Sequence, residues 1–414
     1  MIESRPAPAD ARTRPETAPD GPRHADPLCT RIDLHLHSRA SGAATNWWVK
    51  SLGLGGETRE SYTSPADAYA MVKAAGMDFA VLTDHETIEG ALELAHLPDF
   101  LIGEEINAVY PEDGTTVDVL VYGVTPDHHR ELQARRQDVH HLACYLREAG
   151  LVHVLAHPVF EPGASLDRNA IERRMAMFPL WEFANGSRPA EQNRLTAELA
   201  AEVDAVSLRQ IASRQGLPAP SHRRISGAGG SDDHGGIYGG ATWTAMPRVS
   251  TIPDLLEAMR AGEIWPGGED GSVAKMASTG FKIAGLASVE HGSRSPEASG
   301  PAARIIESLP LLSVFSGQQV RRAIHGRYES WVNEVLGQDG QGLPMIGALA
   351  RIGSLVEAHL LLAPYLGVHG YFGRERQKTQ SLRETLAVPS REPLRAGLFV
   401  DDLGEVHGVS TFYR

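Results

Sequence analysis

Cysteine is almost missing: Cys29 and Cys144 are the only two in 414 residues. Two cysteines cannot build a disulfide framework or a thiolate metal site, so the expectation is a reduced compartment, by default the cytoplasm. Long apolar runs are missing as well. Nothing approaches the roughly 20 residues that a membrane span needs, and residues 1–28 lack the apolar core of a secretory signal. Rich in Pro, Ala, Asp and Arg, they read as a disordered leader. Basic charge is in deficit, with 39 Lys and Arg against 52 Asp and Glu for a formal −13. That argues against nucleic acid as the partner, because such binding needs a basic face, but it leaves room for a local basic pocket. No Gly-x-Gly-x-x-Gly follows the first expected strand, which counts against a dinucleotide cofactor.

What the chain does have is enough apolar content, 42%, for a sizeable core. Its length exceeds one ordinary domain, so a large α/β domain plus an appendage is expected. From about residue 31 to 261, strand patterns alternate with helical ones. Strands are expected at 31–37, 79–82, 100–102, 117–122, 152–156 and 181–185. Ser64-Pro65 has the form of an N-cap with proline at the first helical position, and opens a helix closed by Gly76. Long helices are expected over 127–149 and 190–215, and Asp113-Gly114 reads as a hairpin turn. Alternation of this kind argues for parallel strands with helices outside, as a barrel or a doubly wound sheet.

There are 18 histidines, and their placement is informative. In Arg31-Ile32-Asp33-Leu34-His35-Leu36-His37-Ser38, period-two alternation puts Ile32, Leu34 and Leu36 on one face. Asp33, His35 and His37 fall on the other, so two imidazoles point the same way, as a metal site needs. Further polar groups recur at the ends of successive strands: Asp84-His85, Glu105, His157, Asn185 and Asp232/His234. Each alone has an ordinary reading as a cap, a turn or a solvated carboxylate. Their recurrence at strand ends does not, because chemistry in a barrel gathers where strands give way to loops. Mixed carboxylate and imidazole donors suit Zn²⁺, Mn²⁺ or Fe²⁺, and a shared carboxylate can bridge two ions.

Five motifs together resemble the polymerase and histidinol phosphatase (PHP) superfamily of metal-dependent phosphoesterases. They are Asp33-Leu34-His35-Leu36-His37-Ser38, Thr83-Asp84-His85, Gly103-Glu104-Glu105-Ile106, Ala156-His157-Pro158 and Gly230-Ser231-Asp232-Asp233-His234, in family order over about residues 31–250. The resemblance implies an α/β fold, a distorted (β/α)7 TIM-like barrel, with two or three divalent ions (Zn, Mn or Fe) in its mouth. It implies that His35, His37, Glu105 and Asp232 hold the first ion. Glu105 would bridge to a second, shared with His157, and His85 and His234 would help hold a third.

Two positions depart from the family pattern. Asp118 stands where a histidine is usual and takes its place as a harder ligand of the second ion. Gly42 and Ala43 stand where the loop after His37 usually supplies a histidine or aspartate, which puts the third ion in doubt unless Asn46 or a loop carboxylate such as Glu57 compensates. The implied activity is metal-assisted hydrolysis of a phosphate ester, either phosphatase or phosphodiesterase, on a small phosphorylated substrate such as a sugar phosphate. A nuclease-like phosphodiesterase and a non-catalytic regulatory domain with a degraded site are the alternatives. His234 or Asp232 could assist proton transfer, although ligation suits both. Arg39, two residues beyond His37, is a candidate phosphate contact, and Asn185 a weaker substrate contact. Trp47-Trp48 anchor a loop or form a substrate platform.

The domain expectation is a leader at 1–28, the phosphoesterase barrel at 29–267, a helical appendage at 268–390 and a terminal segment at 391–414. The appendage's arginines read as a solvated face. Residues 394–410, from Leu394-Arg395-Ala396-Gly397 to Val409-Ser410, resemble the opening strand and loop of a GT-B glycosyltransferase. That implies a fused glycosyltransferase domain, against a plain terminal strand.

Overall fold

The computed structural model describes residues 29–42, 59–161, 166–292 and 367–388. Asn46, Trp47, Trp48 and Glu57, with the 394–410 segment, lie outside them. Among the described residues, six strands form one curled sheet in chain order: β2 (Ala80–Leu82), β3 (Phe100–Val109), β4 (Thr116–Tyr122), β5 (Val152–Leu155), β6 (Leu180–Asn185) and β7 (Ser226–Gly230). A smaller sheet pairs β8 (Thr242–Pro247) with β1 (Cys29–Ile32) and β9 (Trp265–Gly268). No helix among the described residues is long and apolar enough to cross a membrane.

The expected parallel order holds only in part. β2/β3, β5/β6 and β6/β7 are parallel, whereas β3/β4 and β4/β5 are antiparallel. The cause is the tight turn at Asp113-Gly114, where Gly114 at φ 73° donates to the Tyr110 carbonyl at 2.8 Å. So short a link joins antiparallel neighbours, because a parallel crossover needs a dozen or more residues. The inversion matters for chemistry. It sets Asn107 of β3 opposite Asp118 of β4, so a residue near the start of β4 reaches the sheet end where β3 finishes.

The first motif also differs from expectation. The regular strand stops at Ile32, and residues 33–37 run on as an extended segment between the two edges of the sheet. Asp232 N–H donates to the His35 carbonyl (2.7 Å) and Thr83 N–H to the Leu36 carbonyl (2.9 Å). The curled sheet therefore meets itself through this segment rather than through a seventh regular strand. Close approach is required there: a Cβ on Gly230 would come within 2.3 Å of the His35 Cβ, so glycine is needed.

Period two along the strands sorts side chains between two cores. Leu101, Leu120, Val154, Leu180 and Ala228 share a cluster with Ile32 and Leu34 inside the curl. Ile106, Val119, Val121, Leu155 and Trp181 face the covering helices, meeting Leu132, Leu142 and Leu146. Continuing the inner parity from Leu101 leads to Glu105, from Leu120 to Asp118 and from Leu180 to Glu182. One end of the interior is thus apolar, and the other carries carboxylates.

The two long helices are each broken in two by an aspartate. Asp138 accepts from the backbone N–H groups of His140 and His141, separating Pro126–Arg135 from Val139–Glu148. Asp204 does the same between Ala190–Ala201 and Ala205–Arg214. An aspartate side chain competes for backbone donors and favours a cap over a helix interior. The Ser64-Pro65 start is as expected, with Ser64 capping Asp67 N–H. Beyond β9, a helix at Val273–Gly292 lies against the loop at Gly235-Gly236, where Lys282 donates to the Gly236 carbonyl at 3.1 Å, and another at 367–386 packs against the helix Ala190–Ala201, with Leu382 joining the outer core.

Candidate metal centre

The centre is assembled by a buried aspartate that is not itself among the ligand groups. Asp33 accepts from the N–H groups of Ser231 (2.8 Å), Gly240 (2.7 Å) and His35 (3.2 Å), tying three stretches of chain together. Burial pushes its pKa up to about 6 in spite of these donors. Asp84 plays a parallel part. It accepts from the backbone N–H of Ser38 and from the hydroxyls of Ser38 and Ser41, which fixes the turn after His37.

Glu105, fully buried at 0% exposure, lies at the middle. Its Oε2 is 3.1 Å from His35 Nε2, 3.2 Å from His37 Nε2 and 3.3 Å from His85 Nδ1, while Oε1 is 3.6 Å from His157 Nε2. Asp232 Oδ1 lies 3.5 Å from His35 Nε2, 3.6 Å from His37 Nε2 and 3.5 Å from His234 Nδ1. Asp118 Oδ2 is 3.7 Å from His157 Nε2. Among the described residues, three groupings bring donor atoms within 4.8 Å of one another: His35/His37/Asp232, Glu105/Asp118/His157 and His37/His85/His234. All eight residues of the expected ligand set are therefore drawn together.

The donor chemistry fits divalent ions. Buried atoms without a hydrogen-bond partner converge here, namely His37 Nε2, Glu105 Oε1 and His234 Nε2. Stranding such atoms in an interior is costly unless something else binds them. Burial opposes charging of His35 and His37, yet the surrounding carboxylates outweigh it: His35 sits well above its ordinary value and His37 is raised to about 10. Burial would likewise raise Glu105 and Asp232, but the neighbouring imidazoles hold both well below the usual carboxylate range. Burial and the adjacent His37 push His234 down to about 4. Negative charge is thus concentrated in the interior and demands positive charge beside it. His157 and Asp232 both have left-handed backbones, with φ of 29° and 51°. Non-glycine residues hold that conformation only where their surroundings impose it, and such positions cluster at functional sites.

Sequence reasoning missed three participants. Glu60, 5% exposed, reaches His85 Nε2 with Oε2 (3.5 Å) and His234 Nε2 with Oε1 (3.6 Å). It brings to the third grouping the carboxylate that Gly42 and Ala43 do not supply. Nothing in the local sequence marks it. Glu182 is the second: Oε1 faces His35 Nδ1 at 3.0 Å, and Oε2 accepts from His157 N–H and Asn185 Nδ2, each at 2.9 Å. A charged residue inside the apolar run Leu180-Trp181-Glu182-Phe183 was the available signal. By occupying Nδ1, Glu182 leaves His35 Nε2 as the donor toward the centre. Glu182→Gln is expected to weaken divalent-metal affinity about 10–100-fold. Competition with a chromogenic chelator measures this, and an unchanged affinity would remove Glu182 from that role.

The third is Arg188, which faces the cluster. Its Nη2 is 3.7 Å from Asp232 Oδ2, its guanidinium lies over the Phe160 ring at 3.7 Å, and Nη1 donates to the Tyr371 hydroxyl at 3.1 Å. Arg39, the expected phosphate contact, is not brought to the centre. Ser38 caps the short helical turn Arg39–Ser41, which directs Arg39 outward, half exposed and 3.8 Å from Glu93. Asn185 is also not a rim contact. Fully buried, it donates from Nδ2 to Glu182 and to Asp232 Oδ2 at 3.1 Å, leaving Oδ1 of Asp232 toward the histidines.

The centre opens into a cavity of about 910 Å³, walled also by Arg188, Lys275 and, from the helix 367–386, by Tyr371, Arg374 and Lys378. The expectation that the arginines of the C-terminal region form only a solvated face fails for Arg383, which is 2.6 Å from Glu198 and largely buried, whereas Arg374 is exposed at the cavity wall.

No family model and no curated protein matches the chain, and no comparison supports the glycosyltransferase resemblance. Similar solved structures include an amidohydrolase from Chromobacterium violaceum, with bound sulfate and no metal, at 19% identity and a TM-score of 0.31. The match covers 56% of this chain and 97% of that one. Another is a candidate metal-dependent phosphoesterase from Bifidobacterium adolescentis, at 17% identity and a TM-score of 0.31, covering 56% of this chain and 96% of that one.

Proposed function

We propose that the protein is a PHP-type phosphoesterase that uses two or three divalent ions (zinc, manganese or iron) to hydrolyse a small phosphorylated substrate. The observation that carries this reading is the Glu105 carboxylate, which faces His35, His37 and His85 with one oxygen and His157 with the other. A carboxylate so placed would serve two ions at once. His35, His37, Glu105 and Asp232 would hold one ion, Glu105, Asp118 and His157 a second, and His85, His234 and Glu60 a third. Bound there, divalent ions supply Lewis acidity toward phosphoryl oxygens and lower the pKa of water.

The chain's own groups do the remaining work. Glu182 and Asn185 fix the donor faces of His35 and Asp232. Arg188 lies beside Asp232 and presents a planar, permanently charged donor suited to a phosphoryl oxygen. Stacking on Phe160 and the Tyr371 hydroxyl keep it from swinging away. Ligation is the role proposed for His234 and Asp232, since each faces other ligand groups within 3.6 Å. The cation beside the cluster favours an anionic substrate over a neutral amide. The cavity walls contributed by two helices favour a small molecule over a polymer, so single-stranded DNA should remain uncleaved. The presence of Glu60 supports a working site over a degraded one.

The test is hydrolysis of p-nitrophenyl phosphate and its bis ester by protein supplied with Mn²⁺ or Zn²⁺. Dipicolinate should abolish turnover and added metal should restore it. Turnover that survives full chelation would defeat the reading.

A further inference from the structure

The helix 367–386 lies some 180 residues beyond the helix Ala190–Ala201, yet it is tied to that helix and to Arg168 at several points. Gln192 Nε2 donates to Glu375 Oε2 at 2.9 Å, between two buried side chains. Arg383 pairs with Glu198 at 2.6 Å, Arg376 with Glu191 at 3.4 Å, and Arg168 donates to the Thr385 carbonyl at 3.2 Å. These contacts fix which face looks into the cavity. Tyr371, Arg374, Glu375 and Lys378 stand at i, i+3, i+4 and i+7, one continuous stripe, and all four line it.

The stripe adds positive charge to a wall that already carries Arg188 and Lys275. Ions bound at the centre would neutralise Glu60, Glu105, Asp118 and Asp232. Lys275 pairs with Glu269 at 3.1 Å and Arg136 with Glu86 at 3.1 Å, so Arg188, Arg374 and Lys378 would then share the wall with Glu375, of which Oε2 is already engaged by Gln192 and Oε1 lies 3.1 Å from Lys378. Arg188 retains a buried Nε with no hydrogen-bond partner. The cavity of about 910 Å³ is far larger than a lone phosphate requires and falls in the roughly 300–1,000 Å³ range of organic ligands. Along the helix, at about 1.5 Å per residue, Lys378 lies about 10 Å from Tyr371, the residue that touches Arg188.

Resting on the phosphoesterase reading above, we propose that the helix 367–386 is the selectivity wall of the site. Arg374 and Lys378 bind a second anionic group, carboxylate or phosphate, on the part of the substrate remote from the scissile phosphate. The preferred substrate is a doubly anionic phosphate ester whose charges are separated by several bonds. Tyr371 links the two ends of this recognition by holding Arg188.

Non-hydrolysable ligands of equal length isolate the second charge. Hexylphosphonate, 6-phosphonohexanoate and pentane-1,5-bisphosphonate share one phosphonate and one pentamethylene chain, and differ only in a terminal methyl, carboxylate or phosphonate. Titration calorimetry on the Mn²⁺-loaded full chain should show one or both of the ligands with a second anionic group binding at least about tenfold tighter than hexylphosphonate. The preferred arm identifies the second group. In R374A/K378A the three should bind alike, and R374E/K378E should favour the methyl-ended ligand. Arg374 is exposed and Lys378 half-buried, so these variants should keep the helix docked, which an unchanged Tm checks. Equal binding of all three to the wild type, or a preference that survives in R374A/K378A, overturns the proposal while leaving the metal centre standing. If none of the three binds to metal-loaded protein, the phosphoesterase reading falls with it.

Discussion

Replacing Asp232 or His35 should lower phosphoester hydrolysis by at least about a thousandfold, some 4 kcal/mol of lost transition-state stabilisation. His35→Ala removes an imidazole whose Nε2 faces Glu105 at 3.1 Å and Asp232 at 3.5 Å. Asp232→Ala removes the carboxylate oxygen that faces His35, His37 and His234. The aspartate has a cleaner replacement. Asp232 sits at φ 51°, where alanine is strained and asparagine is tolerated, so Asp232→Asn keeps the backbone and the shape while deleting the charge. Circular dichroism should show all three variants folded, because the apolar cores lie elsewhere in the curl. Unchanged turnover of p-nitrophenyl phosphate or its bis ester in any of them would refute the ligand assignment.

The sequence was most readable where side chains alternate and cap. His35 and His37 could be placed on one face, Ser64-Pro65 opened a helix, and the five motifs gave the ligand residues their order. It was least readable where distance along the chain hides proximity. No local pattern marks Glu60, and only the fold brings it between His85 and His234. The helix 367–386 offers an arginine-rich surface pattern, and only its docking turns Tyr371 and Arg374 toward the cavity. Proximity in sequence misled in the opposite direction at Arg39, two residues from a proposed ligand but turned outward by the Ser38 cap. The strand reading failed for a physical reason too. A hairpin at Asp113-Gly114 inverted β4, and the same inversion carries Asp118 to the centre.

The second large effect belongs to Glu105→Gln. Glutamine fills the same volume in a site with 0% exposure, so packing survives the change. What disappears is a charge facing histidine nitrogens at 3.1, 3.2, 3.3 and 3.6 Å. Because Glu105 is proposed to serve two ions at once, its loss should empty both positions, unlike Glu182→Gln, which only loosens the orientation of His35. The buried histidines around it would then lose the carboxylate that offsets their burial, and a neutral amide cannot replace it. Hydrolysis should fall at least as far as in Asp232→Asn.

Counting the ions tests the central claim most directly. Elemental analysis by inductively coupled plasma mass spectrometry on purified wild type and Glu105→Gln, after removal of loosely held metal, should find about two to three divalent ions per wild-type chain and fewer than about one in the variant. A wild-type chain holding fewer than about one ion, or a variant that retains the full complement, would contradict the account of a bridged metal centre.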